Sequence, residues 1–230
     1  MFAGPFDLSI LKKAQEKGLL KLQIKNIRDF GLGKHKLVDD KPYGGGTGMV
    51  MRVDVLHKAV IAVREQLPND KQKIFLLSAR GKTFNQIIAK EFASLEHLIL
   101  ICGHYEGVDE RISTFIDVEI SIGDFIATGG EIPAMLIVDA VTRLIPGVLK
   151  EGVTEHESFS LSENNDTLLE YPHYTNPREY EGQIVPDVLL SGNHEEIDKW
   201  RIIQAKQTTK QQRPDLVGKS KVVEEKPRSD

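Results

Sequence analysis

The residues best suited to do chemistry sit in three glycine-bearing segments of this 230-residue chain. "SIGDFIATGGEIPAM" (121–135) holds Gly123, Gly129 and Gly130 beside Asp124 and Glu131. A tight turn needs one or two glycines, whereas this density suits a loop that lets another backbone or a flat ligand come into direct contact. "ILICGHYEGVDERI" (99–112) ends an apolar run in Cys-Gly-His, and "LLSARGK" (76–82) ends another in polar residues. Such runs read as buried strands, and open parallel sheets bind ligands at the carboxyl ends of their strands. A lone His104 or Glu106 would be an ordinary surface group. Three polar or glycine-rich strand ends converging on one crevice make a ligand site.

Two phosphate-loop readings fail on spacing. "GKT" (81–83) resembles the end of a P-loop, but Leu76 stands where the first glycine is required. "YGGGTGM" (43–49) lacks the following Lys-Ser/Thr, and it comes after the charged "KLVDDKP" rather than an apolar strand. Taken alone it is a flexible surface loop. Its glycines also suit a backbone cradle or lid, with Asp39 and Asp40 as fixed acceptors beside it. Cys102 is the single cysteine, which excludes a disulfide within the chain and a cysteine-based zinc site. The acids leave magnesium open as a cofactor, with no ligand set readable.

The elements that must position these segments alternate in type. Apolar runs at 19–24, 73–78, 97–102 and 117–122 read as strands. Helical periodicity covers 53–67; 83–95, with Thr83 and Gln86 in capping-box spacing; and 133–145, with Pro133 first and Gly147 just past the end. The alternation predicts an α/β fold with a mostly parallel sheet covered on both faces. Residues 147–170 are polar, acidic and without period, and read as a mobile linker. Asn193 then caps an amphipathic helix that becomes basic toward its C-terminus. The expected layout is an α/β domain over 1–149, a linker over 150–170 and a small helical domain over 171–230.

With 40% hydrophobic and 28% charged residues, the composition is that of an ordinary soluble protein. No apolar run approaches the roughly 20 residues of a membrane span, and no signal-peptide core is present; the expected compartment is the cytoplasm. The net charge of −4 argues against indiscriminate nucleic-acid binding. It hides a segregation: eight Lys/Arg in 12–36, five in 199–213, and seven acids against Arg111 alone in 104–131. Solvated helix faces account for this pattern, and so does a polyanion gripped at the edges of a chemically different centre.

"VDDKPYGGGTGM", "ICGHYEGVDERI", "SIGDFIATGGEIPAM", "TRLIPGVL", "YPHYTNP" and "VPDVLLSGNHEEIDKWR", in this order over nearly the whole chain, resemble the bacterial tRNA (guanine-N1)-methyltransferase family of the SPOUT class. The resemblance implies methylation of the guanosine just 3′ of the anticodon, with S-adenosylmethionine as donor. It also implies a deep trefoil knot, an exception to the rule that connections do not thread, and a homodimer packed at the knots. Leu76, Leu77, Ser78, Gly103, Tyr105, Glu106, Ile122, Gly123, Asp124, Phe125, Ile126, Ala127, Gly129 and Gly130 would line the donor pocket.

By the same resemblance, Glu157 in "HESF" would take the proton from guanine N1, and Arg143 in "VTRLIPG" would stabilise the oxyanion that develops. His156 is an alternative base. Asp39 would read the guanine edge, and Arg201, Lys206 and Lys210 would hold tRNA phosphates. The target base must be extruded from its stack.

The sequence departs from the family in several places. Members begin with an apolar strand ahead of the helix that here starts near Leu8. This sequence begins at "MFAGPFDLSI", from an internal methionine or by truncation, so an unpaired sheet edge and exposed apolar surface are expected. Glu157 stands where aspartate is common, Asn176 replaces an arginine in "YTNP", and "SLSENND" lengthens the linker. A non-catalytic RNA-binding protein on the same scaffold is the competing reading, and a nucleotide hydrolase a third.

Overall fold

Strand β3, Gln72–Thr83, organises the first part of the molecule because both its edges are paired and both its faces covered. The computed structural model describes residues 1–64, 71–163 and 166–218 and divides into two compact units, Met1–Leu149 and Lys150–Asp230. In the first unit, β4 (His97–Cys102) and β5 (Val118–Ser121) flank β3 in the order β4-β3-β5, all parallel. Alternate residues of β3 face opposite sides of the sheet. Ile74 and Leu76 pack with Leu56 and Val60 of α2 (Val53–Arg64), whereas Phe75 and Leu77 pack with α3 (Gln86–Ala93) and α4 (Glu131–Thr142). Each such side chain is worth about 1.5–3 kcal/mol of burial. That two-sided cover explains why the strands read as unbroken apolar runs.

Local competition moved several boundaries. Thr83 does not cap α3, because Lys82 and Thr83 pair with Ile120 and Ser121 as the end of β3. Asn85 takes the role, its Oδ1 accepting from Ile88 N at 3.0 Å. Helix α4 begins two residues ahead of Pro133, which is tolerated in a first turn whose N–H groups have no intrahelical partner. The last residues of the 53–67 helix, 65–67, lie outside the described residues.

The expected strand at 19–24 is absent. After α1 (Ser9–Glu16), residues 20–26 carry no strand pairing. With the outer edge of β4 they line an apolar groove of about 1090 Å³, reached also by α2, α3 and α4 and extending to Cys102, His104, Tyr105 and Glu131. A strand exists only with a ladder partner, and β4 offers its hydrogen bonds to β3 alone among the named strands. The N-terminal basic residues of this stretch are exposed.

The second unit has more order in 150–170 than its polar sequence suggests. Strands β6 (Ser162–Glu163) and β7 (Asp166–Thr167) form a short hairpin, and residues 164–165 lie outside the described residues. Leu161 and Leu168 are buried with Ala205 of α5 (His194–Gln212), and Tyr171 packs against them. Buried Thr209 completes the attachment: its Oγ1 accepts from Leu169 N at 2.8 Å and donates to Ala205 O at 2.7 Å. Two leucines in a polar stretch gave too weak a period to signal this. Asn193 caps α5 as its position suggests, accepting from Glu196 N. Among the described residues no helix is long and apolar enough to cross a membrane.

Candidate active site

The sheet register brings three strand ends to one edge. Leu77 is level with Cys102 on β4 and with Ile120 on β5. The chain therefore bulges from the sheet at Ser78 and leaves it after Cys102 and after Ser121 on the same side, the expected ligand side. The "SARG" sequence is a bulge in β3: pairing with β5 shifts register between Leu77 and Lys82. Gly81 lies flat on β5, where a Cβ would fall 2.4 Å from Ile120 N. Arg80 is held by Glu110 and Glu119 at 2.9 and 3.0 Å.

A second close backbone approach lies at Gly130. Its N–H donates to Gly103 O at 2.9 Å, and a Cβ there would stand 2.6 Å from Cys102 Cα. A Cβ on Gly129 would meet Glu131 Oε2 at 2.6 Å and the His104 ring at 2.7 Å. These two glycines let the N-terminus of α4 abut the end of β4. Glu131 opens that helix, where a carboxylate complements the dipole. Its Oε1 lies 2.5 Å from His104 Nε2, while its Oε2 is buried with no hydrogen-bond partner among the described residues. Burial, and secondly the charge of Glu131, push the Cys102 thiol up to about 12. This thiol is inert at neutral pH.

Gly123 has φ +145°, and Ser121 Oγ both donates to its carbonyl and accepts from its N–H. The following turn presents Phe125 and Ile126 to the outside, 59% and 85% exposed. Asp124 and Ala127 are exposed, and Ile122 is half-buried. Tyr105 adopts φ +62°, its hydroxyl 3.5 Å from Arg28 Nη2. Leu76 and Leu77 are core residues, so they contribute backbone rather than side chain to the edge.

A second structure joins this edge from outside. Strand β2 (Val50–Met51) pairs antiparallel with β1 (Asp39–Asp40), and the glycine loop connects them. The other edge of β2 bonds the 104–109 loop: Glu106 N donates to Met49 O at 3.1 Å, Met51 N to Gly107 O at 3.0 Å, and Asp109 N to Met51 O at 3.0 Å. A Cβ on Gly48 would clash with Glu106 at 2.4 Å. Asp39 and Glu106 are thus brought to neighbouring segments, which the sequence could not indicate.

The remaining residues are distributed as follows. Arg143 is the half-buried C-cap of α4, in the first unit. Glu157 is half-buried in the second, its carbonyl accepting from Ser160 and Leu161. His156 is exposed. On α5, Arg201 stacks over Tyr171 at 5.0 Å and bonds Asp198 at 3.1 Å, and Lys206 pairs with Glu163 at 2.6 Å. Lys210 is exposed. Glu131 was missed as a site residue. Its signal was an acid in the first helical turn directly after Gly-Gly, but its contact with His104 spans 27 residues of sequence.

The crevice fits a cationic, flat ligand. It offers backbone groups where a Cβ would intrude, the Glu131 carboxylate with one buried oxygen unpartnered among the described residues, and Glu106 nearby. Among the described residues no group of three His, Cys, Asp or Glu is placed to hold a metal ion.

Fold and crevice define an α/β protein whose candidate ligand site lies at the carboxyl edge of a parallel sheet. A family model described as tRNA (Guanine-1)-methyltransferase TrmD matches residues 1–219. The chain is 54% identical over 226 residues to a Dictyoglomus turgidum protein, covering 98% of this chain and 89% of the relative. It is 55% identical over 219 residues to one from Carboxydothermus hydrogenoformans (94% and 83% covered) and 48% over 228 to one from Clostridium perfringens (98% and 94%). All three relatives are named tRNA (guanine-N(1)-)-methyltransferase. This chain belongs to the tRNA (guanine-1)-methyltransferase family.

Proposed function

We propose that this chain methylates N1 of the guanosine 3′ of the anticodon in tRNA, with S-adenosylmethionine as donor. The observation that supports it most is the convergence of Ser78, Gly103 and Gly130 at one sheet edge beside the unpartnered oxygen of Glu131. The donor, when bound, supplies an electrophilic methyl group on a sulfonium. Backbone groups of 76–78, 103–106 and 122–130 would hold it, and Glu106 and Glu131 would face its positive charge.

Guanine N1 carries a proton and is a poor nucleophile. Glu157 accepts that proton, and the charge it leaves on guanine O6 is met by the Arg143 guanidinium. Asp39 accepts hydrogen bonds from the guanine edge. Lys210 is the available phosphate contact of α5, and Arg201 and Lys206 would join it only by exchanging their present partners. The trefoil knot, the homodimer, the cytoplasmic location and the extruded base belong to the same reading. So does the question of magnesium, answered by activity with and without a chelator.

The test is methyl transfer to unmodified tRNA bearing guanosine or adenosine 3′ of the anticodon. Wild type should modify only the first. Arg143→Ala and Glu157→Gln should each lower kcat by about 100-fold or more while the S-adenosylmethionine Kd stays put. Full activity in both variants would overturn the roles. Saturable RNA binding without any transfer by the wild type would favour a non-catalytic protein instead.

A further inference from the structure

Arg52 occupies a position that neither the donor crevice nor the proposed catalytic pair explains. It directly follows β2, and its backbone N–H donates to Val38 O at 2.9 Å, closing the base of the β1–β2 hairpin. Its guanidinium binds two acids at once. Nε and Nη2 form a fork on Asp54, in the first turn of α2, at 3.1 and 2.9 Å; Nη1 reaches Asp40 at 2.9 Å. The fork holds the Asp54 carboxyl below the usual carboxylate range. Asp40 has its other oxygen on Lys41 N at 2.8 Å, the residue where the chain enters the glycine loop.

Asp40 is therefore committed to the hairpin. Asp39 points to the opposite face, as successive strand residues must, and its carboxylate makes no hydrogen bond among the described residues. Two adjacent acids have different tasks: one anchors, the other is presented. The anchoring cluster is partly exposed, and exposed ion pairs add little to stability. What the fork does add is direction: a planar guanidinium bonding two carboxylates fixes the hairpin relative to α2, which a lysine could not do.

We infer that Arg52 is a positioning residue for recognition of the acceptor base, clamping Asp40 to Asp54 so that Asp39 and the Gly44–Gly48 loop are set for the guanine edge. The inference rests on the proposed role of Asp39. Its effect should fall on the tRNA side, because β2 reaches the donor loop through backbone bonds that the Arg52 side chain does not make.

The experiment measures steady-state methyl transfer for wild type, Arg52→Met, Arg52→Lys, Asp40→Asn and Asp39→Asn. Each is assayed with tRNA carrying guanosine or inosine at the acceptor position, alongside calorimetry with S-adenosylmethionine. Inosine lacks the exocyclic amine that a carboxylate would accept from. Arg52→Met should raise KM for tRNA by about fivefold, in the range expected for groups in one hydrogen-bond network. It should also shrink the guanosine preference, with kcat and S-adenosylmethionine Kd near wild type. Arg52→Lys should fall between.

Should Arg52→Met not fold, Asp40→Asn breaks the same clamp while sparing the Asp54 fork, and should show the same KM shift. If Asp39→Asn loses the guanosine preference while Arg52→Met and Asp40→Asn keep wild-type KM, the positioning role is wrong and the reading of Asp39 stands. If Asp39→Asn itself keeps the preference, the reading of Asp39 fails and removes the basis of the clamp.

Discussion

Two glycine-rich stretches meet at the candidate site, and at Gly44–Gly45 and at Gly130 they use glycine for opposite reasons. In the 43–49 loop, Gly44 and Gly45 have φ of +86° and +82°, and a Cβ on either would meet nothing within 4 Å. Glycine is needed there for a backbone turn that L-residues rarely make. At Gly130 φ is an ordinary −77°, but a Cβ would fall among the backbone atoms of Cys102 and Gly103. Glycine is needed there for space alone. The first kind builds a cradle open to a large partner, and the second seals two backbones together at the edge of a small-molecule crevice. Substitutions should accordingly separate tRNA effects from donor effects.

The largest effect should come from Gly130→Ala. The clash is with main chain, which cannot move aside as a side chain can, so about 2–3 kcal/mol of overpacking is expected. S-adenosylmethionine affinity by calorimetry should fall by about 30- to 150-fold, the same energy expressed as binding. Next is Glu131→Gln, which keeps shape and removes charge beside the donor. A loss of about tenfold in S-adenosylmethionine affinity is expected for a charged partner, with tRNA binding by filter retention unaffected. Gly45→Ala should be milder. Strain of about 1–2 kcal/mol at positive φ should raise KM for tRNA and leave donor affinity intact; a donor defect there would erase the contrast.

The smallest effect concerns Cys102. In the fold its thiol is raised to about 12, above the ordinary value of about 8.5 expected for the unfolded chain. A raised thiol contributes stability that is fully present below the unfolded value and is lost as pH rises toward the folded one. Alkylation at pH 8 should therefore be slow in the native protein and fast in denaturant, and thermal stability should decline above about pH 9.

Much of the sheet was legible because β3 is covered on both faces, which leaves an unbroken apolar signature at 73–78. The run at 19–24 carries a similar signature without a strand, since pairing is a property of neighbours and not of the run itself. The same limit moved the start of α3: the long-range pairing of Thr83 with Ser121 takes it into the sheet and leaves the cap to Asn85. At the site, the glycines and the three strand ends could be read directly. The His104–Glu131 contact, the Arg52 fork and the bonding of β2 to the donor loop could not. Each joins segments that only the folded chain brings together.

The central claim is that the donor occupies the carboxyl edge of the sheet, where the groove along β4 ends at His104, Tyr105 and Glu131, rather than the part of that groove lined by 20–28 and 97–101. Amide hydrogen exchange with and without S-adenosylmethionine tests it most directly. Slowed exchange confined to residues 102–106 and 121–131, with 20–28 unchanged, is the predicted result. Slowed exchange along 20–28 and 97–101, with the 121–131 turn unaffected, would contradict it.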